Sequence, residues 1–205
     1  MKNLLYCFNL LLIASFIFIG CNSDDDLVVK EGVVINGIRW ATRNVDAPGT
    51  FAANPEDFGM TFQWNRRTGW RPLSVITGWD NSIPSGDEWE RQNNPCPPGW
   101  RVPTTAEFFS LIGAASSIWT TENGVNGRFF GKAPNQIFLP AVGKLRTAYD
   151  DDGIVVVSDF WLWGNYWSKN RATDNNANAL RFSGVTTTVA QLSRNMGLSV
   201  RCVAE

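Results

Sequence analysis

Residues 103–113 read Pro103-Thr104-Thr105-Ala106-Glu107-Phe108-Phe109-Ser110-Leu111-Ile112-Gly113. Thr104 and Glu107 stand three apart, the spacing of a capping box, in which each side chain satisfies a backbone N–H at a helix start. Phe108, Leu111 and Ile112 then recur on one helical face, and Gly113 is suited to end it. Outward from this helix the pattern changes to strands. Upstream, Val33-Val34-Ile35-Asn36-Gly37-Ile38-Arg39-Trp40 sets β-branched residues on both sides of Asn-Gly, which accepts the positive φ of a two-residue hairpin turn, so the domain starts near Val33. Downstream, strand-like runs cover 137–142, 154–157, Tyr166-Trp167-Ser168, 179–182 and 199–203. Residues 43–95 are rich in Gly, Pro, Asn and Trp with weak periodicity and read as long ordered loops. The expectation is a single α+β domain over 33–205, with short antiparallel strands, at least one helix and no internal repeat.

The first 20 residues read as a lipoprotein signal peptide. Lys2 supplies a positive charge, and Leu10-Leu11-Leu12-Ile13-Ala14-Ser15-Phe16-Ile17-Phe18-Ile19 is an apolar core too short for a comfortable membrane span. It ends at Gly20-Cys21, which resembles the lipobox of bacterial lipoproteins, although Phe18 stands where Leu is usual. Acylation is expected on Cys21, tying the protein to a membrane through lipid. Residues 21–32 form an acidic tether, because Asp24, Asp25 and Asp26 repel one another and stay solvated. This acidic run is similar to the signal that sends lipoproteins of the Bacteroidetes type to the outer face of the outer membrane.

Charge and cysteine usage narrow the chemistry. Lys plus Arg number 18 against 19 Asp plus Glu, so no global field draws nucleic acid to the protein. The chain has no histidine, which excludes Ser-His-Asp and Cys-His nucleophile systems, His-containing zinc sites and His as a general base. Cys7 leaves with the leader and Cys21 is consumed by lipid. Cys96 and Cys202 remain, and in an oxidising compartment they allow one bridge. A reactive or metal-binding pair is the competing reading, and it lacks both histidine and a Cys-x-x-Cys spacing.

Four segments in order resemble the Fibrobacter succinogenes major paralogous domain. They are Val34-Ile35-Asn36-Gly37-Ile38-Arg39-Trp40 with Asn44; Cys96-Pro97-Pro98-Gly99-Trp100-Arg101-Val102-Pro103-Thr104 with Glu107; Tyr166-Trp167-Ser168; and Leu198-Ser199-Val200-Arg201-Cys202-Val203. They span 33–205, and Phe108 departs from the family's usual Trp. That family is in turn distantly similar to the C-type lectin-like fold and to the formylglycine-generating enzyme domain. The resemblance implies a loop-rich lectin-like α+β domain whose termini pair at one end. It brings no function, since a fold does not fix an activity.

Known chemistries of those folds find little support in the residues. Ala133-Pro134-Asn135 and Trp79-Asp80-Asn81 stand where a calcium-dependent lectin would carry oxygen-rich triplets, but the first lacks its carboxylate and the second has its order changed. Asp150-Asp151-Asp152-Gly153 reads as a hairpin turn rather than a cation loop. Cys96 and Cys202 do not match the spacing of a formylglycine-forming pair, and adjacent Asp87 and Glu88 point to opposite faces of an extended segment, unlike a glycosidase pair. No catalytic residue, metal or cofactor is therefore expected. Trp70, Trp79 and Trp89 are the ligand-binding candidates: they lie among Arg71, Asp80, Asn81, Asp87 and Glu88, where indole faces beside amides and carboxylates either stack on a ligand or fill the core beneath loops. The expected function is a surface lipoprotein with a non-catalytic domain that binds a glycan or a protein; the alternative is a structural module of a surface assembly.

Overall fold

A computed structural model describes residues 32–114, 116–148 and 154–205. The leader, Cys21, the acidic tether up to residue 31 and the turn at 150–153 lie outside the described residues. In chain order the first strands are β1 (Gly32–Ile35), β2 (Ile38–Ala41), β3 (Thr61–Gln63), β4 (Gly69–Trp70) and β5 (Trp100–Arg101). Helix α1 (Thr105–Ile112) follows, then β6 (Ser117–Glu122), β7 (Val125–Lys132), β8 (Asn135–Pro140), β9 (Lys144–Thr147) and β10 (Val155–Ser158). The chain closes with β11 (Gly164–Arg171), β12 (Asn176–Phe182), β13 (Thr187–Ser193), β14 (Gly197–Ser199) and β15 (Val203–Ala204).

These strands form three sheets. The first has the order β1-β2-β15-β5, so the strand nearest the C-terminus pairs with the opening hairpin, Val203 opposite Trp40. The second runs β10-β9-β14-β11-β12-β13, with β3 and β4 joined to it through β14. All its pairings are antiparallel except β11 with β14, which meet in parallel at Tyr166 and Ser199. The third is the meander β6-β7-β8.

Among the described residues strands make up 43% and helix 7%, so the domain is mainly β. This corrects the expectation of an α+β, C-type lectin-like domain. The helix is present and capped as its sequence requires: Thr104 Oγ1 accepts from the Glu107 N–H, and Glu107 accepts from the Thr104 N–H. The strands that tip the balance are polar. Ser117-Ile118-Trp119-Thr120-Thr121-Glu122 and Thr187-Thr188-Val189-Ala190-Gln191-Leu192-Ser193 are edge strands of their sheets, so their wet positions tolerate Thr, Gln and Glu and the hydrophobic count falls below that of a buried run. The turn between β6 and β7 is Asn123-Gly124, with φ of 46° and 83°, the same hairpin chemistry as Asn36-Gly37.

The central sheet is buried on both faces. In β11, Tyr166 enters one core beside Trp40, Phe108, Leu111 and Phe182, while its neighbour Trp167 enters the other beside Trp64, Trp100 and Val200. Successive side chains of a strand point to opposite faces, so a strand between two cores must be apolar or fully bonded throughout, and 164–168 is buried at every residue. Trp167 Nε1 donates to the Phe62 carbonyl at 2.7 Å, and Trp64 Nε1 to that of Ser168 at 3.0 Å. Each such indole withdraws about 150–250 Å² from water, worth about 4–6 kcal/mol before the entropy of ordering it.

Candidate functional site

A buried polar network underlies a groove on the surface. Arg201 is fully buried and forms no ion pair with a carboxylate among the described residues. Its Nε and Nη2 donate to Asn44 Oδ1 at 3.1 and 2.7 Å, and its Nη1 to the Ala41 carbonyl at 3.2 Å. Burial pulls the guanidinium down to about 10 and pushes the neighbouring Tyr166 phenol up to about 12, so at neutral pH the one is charged and the other is not. Asn44 Nδ2 passes the network outward by donating to the Phe58 carbonyl at 3.0 Å. Tyr166 Oη donates to the Pro140 carbonyl at 2.8 Å, and the next carbonyl, of Ala141, accepts from the Trp161 N–H at 3.0 Å. One set of core bonds thereby fixes both the 57–60 segment and the 159–163 turn. Gly59 completes the first: its φ is 64°, and a Cβ there would lie 2.2 Å from the Val45 carbonyl oxygen.

Between the 57–60 segment and residues 71–74 lies a groove of about 430 Å³, lined by Asp46, Ala52, Asp57, Phe58, Arg71 and Leu73 among others. Arg71 meets Asp46 through two contacts, Nη1 to Oδ1 at 3.0 Å and Nη2 to Oδ2 at 3.1 Å. Asp57 Oδ2 accepts from the Asn54 backbone N–H at 2.8 Å. Phe58, which lines the groove, also meets two further rings nearly at right angles. Phe58 and Phe160 are 5.3 Å apart at 80°, Phe160 and Trp161 5.3 Å at 83°, and Phe58 and Trp161 6.1 Å at 89°. Trp161 and Leu162 are exposed, at 36% and 64%.

A second groove of about 330 Å³ is charged: Glu88, Arg91, Arg101, Lys169 and Glu205 line it, with the edge of Trp89. Lys169 pairs with Glu88 at 2.9 Å. Arg101 grips both carboxylate oxygens of Glu107, at 2.6 and 2.9 Å. Burial opposes ionisation of Glu107, but the Arg101 and Thr104 hydrogen bonds outweigh it and hold the carboxyl below the usual range.

The three tryptophans singled out from the sequence do not share an open cleft. Trp70 is 8% exposed, donates from Nε1 to the Thr77 carbonyl at 3.0 Å and lies 4.8 Å from half-buried Trp79. The Trp79 ring rests against Gly197. Trp89 is 5% exposed and sits apart, its ring 6.2 Å from Trp64 and its Nε1 donating to the Asn93 carbonyl. Cys96 and Cys202 form a disulfide with Cα atoms 6.1 Å apart, and Cys21 lies outside the described residues. Asp87 and Glu88 are each engaged with a cation of β11, Arg171 and Lys169, both at 2.9 Å. Ala133-Pro134-Asn135 makes the turn from β7 into β8 in the third sheet, whereas Asn81 bonds to Thr147 at the end of β9 in the second. Among the described residues no cluster of three His, Cys, Asp or Glu is placed to hold a metal. The aromatic corner at Phe58, Phe160 and Trp161 was missed in the sequence. Its signal was Phe160-Trp161-Leu162-Trp163, four large apolar residues between two strand-like runs, where a turn is expected to be polar. Compared with protein-family models, curated proteins and solved structures, the chain finds no match.

Proposed function

We propose that this chain is exported, acylated on Cys21 and carried at the outer membrane facing the cell exterior, where the domain spanning 33–205 binds a glycan or protein partner without catalysis. The observation that carries the reading is the groove beside Phe58, with the Asp46–Arg71 ion pair along it and its Phe58 segment held by core hydrogen bonds. Loops fixed on a rigid scaffold are where binding groups concentrate, and a large apolar surface beside a few fixed polar groups suits ligand capture. The Cys96–Cys202 disulfide supports export, because such bonds persist in oxidising compartments. The resemblance to the Fibrobacter succinogenes major paralogous domain belongs to the same proposal. Many of the residues that carry it, Trp40, Trp100, Val102, Tyr166, Trp167 and Val200 to Val203, are core residues, so it speaks for the scaffold and leaves the ligand to the loops.

The alternative, a structural module in a surface assembly, is favoured by β13. Its outer edge runs for seven residues with no charge and no proline, and no further strand pairs with it among the described residues. Such an edge is open to strand addition. The anchor is tested with Cys21→Ser, which is expected to leave the membrane fraction or stay unprocessed; a membrane-bound variant of mature size refutes it. Protease added to intact cells is expected to degrade the wild-type chain, and protection until lysis refutes surface exposure. Binding is tested by adding the labelled chain to cells of candidate partners, where no saturable binding refutes that part of the reading.

A further inference from the structure

We infer that a groove on the outer face of the β6-β7-β8 sheet binds an alkylammonium group, a protonated primary amine on an aliphatic stem. The groove encloses about 300 Å³ and is lined by Thr42, Pro55, Glu56, Glu122, Phe129 and Phe138 among others. It shares no lining residue with the groove beside Phe58, and neither site depends on the other. Strand pairing sets its wall. Ile118, Phe129 and Phe138 stand opposite one another across the three strands, and Glu122 lies four residues along β6 from Ile118, so alternation keeps all four on one side. Trp119 and Phe130 point the other way and meet Phe182 in the core, which leaves Ile118 61% exposed on the outer face. The half-buried Phe129 ring lies 5.3 Å from that of Phe138. A Cβ on Gly127 would come within 2.4 Å of the Phe138 ring, so this ring leans toward the end of the sheet where Val125 pairs with Glu122.

Two carboxylates reach this groove without a cation. Glu56 and Glu122 are half-buried, and neither takes part in an ion pair among the described residues. No Lys or Arg among the described residues lines the groove. The two acids are held near each other by Asn123, the neighbour of Glu122 in the chain, whose Nδ2 donates to Glu56 Oε1 at 2.6 Å. Like charges beside apolar rings disfavour one another, and a neutral or anionic ligand that excludes water from them adds to the cost. A cation removes that cost. Calcium takes about six to eight oxygen ligands and magnesium a near-octahedral set, and among the described residues no cluster of three acids supplies them. The apolar wall instead suits a cation with an aliphatic stem. An ammonium offers three N–H donors to carboxylate oxygens, and the face of an aromatic ring attracts its charge within about 6 Å.

The test uses the full lipidated chain in nonionic detergent and three probes of one length: 1,5-diaminopentane, 1,5-pentanediol and glutarate. Binding is read by calorimetry. Two blocked decapeptides of Gly and Ser, one with a single Lys and the other with acetyl-Lys in its place, distinguish a free amine from one carried on a protein. The diamine is expected to bind, more weakly as salt is raised, and the diol and glutarate are not. Glu122→Gln keeps the size and removes one of the two like charges, so it should melt at or above the wild-type temperature, yet bind the diamine about tenfold more weakly. Glu56→Gln keeps an acceptor for Asn123 and should behave likewise. Binding of the Lys peptide but not of its acetylated twin identifies a protein-borne amine, and binding of the diamine alone a free one; either outcome supports the inference. Diamine affinity within twofold of wild type in Glu122→Gln overturns it, as does a diol that binds as tightly as the diamine, or binding of neither amine probe.

Discussion

Removing the Cys96–Cys202 bridge should destabilise the domain through its unfolded state and leave the folded one nearly unchanged. The two residues are 106 apart in sequence. In the chain-entropy model a loop of that length loses about 16 cal/mol/K, or about 4.8 kcal/mol at 25 °C, when it is closed. For a domain of this size that corresponds to a melting temperature lower by about 10–20 °C. The folded state should tolerate the change because other bonds hold the same junction. Val203 and Ala204 pair with Arg101 and Trp100 across β15 and β5, and the Ala41 N–H donates to the Cys202 carbonyl at 2.9 Å. Both cysteines are buried, so Cys96→Ala with Cys202→Ala is a cleaner perturbation than reductant. The assay is thermal and urea unfolding of the double variant, with near-ultraviolet circular dichroism at 20 °C as the check on native packing. A loss below about 1 kcal/mol with native packing intact would refute loop closure as a main source of stability here. Loss of native packing at 20 °C would show instead that the bridge is needed to assemble the junction.

Three further outcomes follow from particular side chains. The raised Tyr166 phenol keeps its proton in the folded state, so its contribution is present below the unfolded value of about 10 and lost as pH rises toward 12; at pH 10.5 the folded wild type and Tyr166→Phe should show the same phenolate absorbance at 295 nm, and a drop in the variant would be contrary evidence. The carboxyl of Glu107 is lowered, so its stabilisation is present above the unfolded carboxyl range and lost as pH falls through its folded value. Glu107→Gln should cost about 1–3 kcal/mol at pH 7 and make stability less dependent on pH below about 5, as urea midpoints across pH will show. Trp89→Ala should cost about 3–5 kcal/mol by removing a 5%-exposed indole from beside Trp64; near-neutral stability by calorimetry would mean that the site relaxes or that the ring is not core.

Local chemistry was legible in the sequence where the interaction spans a few residues. The Thr104–Glu107 cap, the apolar face of α1 at Phe108 and Leu111 and the Asn36-Gly37 turn all depend on neighbours within one turn of chain, so spacing alone specifies them. The pairing of Cys96 with Cys202 followed from counting, because no third cysteine competes when Cys7 and Cys21 are assigned to the expected leader and anchor. Tertiary structure decided what depends on distant partners. Polar β6 and β13 are strands because β7 and β12 supply their hydrogen bonds, a gain that no local hydrophobic count contains. Trp89 is core and Trp161 is surface for the same reason: an indole is buried or displayed according to which elements cover it, and Trp64 covers the first whereas a turn held from Ala141 and Asp159 lifts the second. The groove itself joins residues 46, 57 and 71, and the Asn44 amide that bonds to the Phe58 carbonyl beside it is held by a buried arginine 157 positions away.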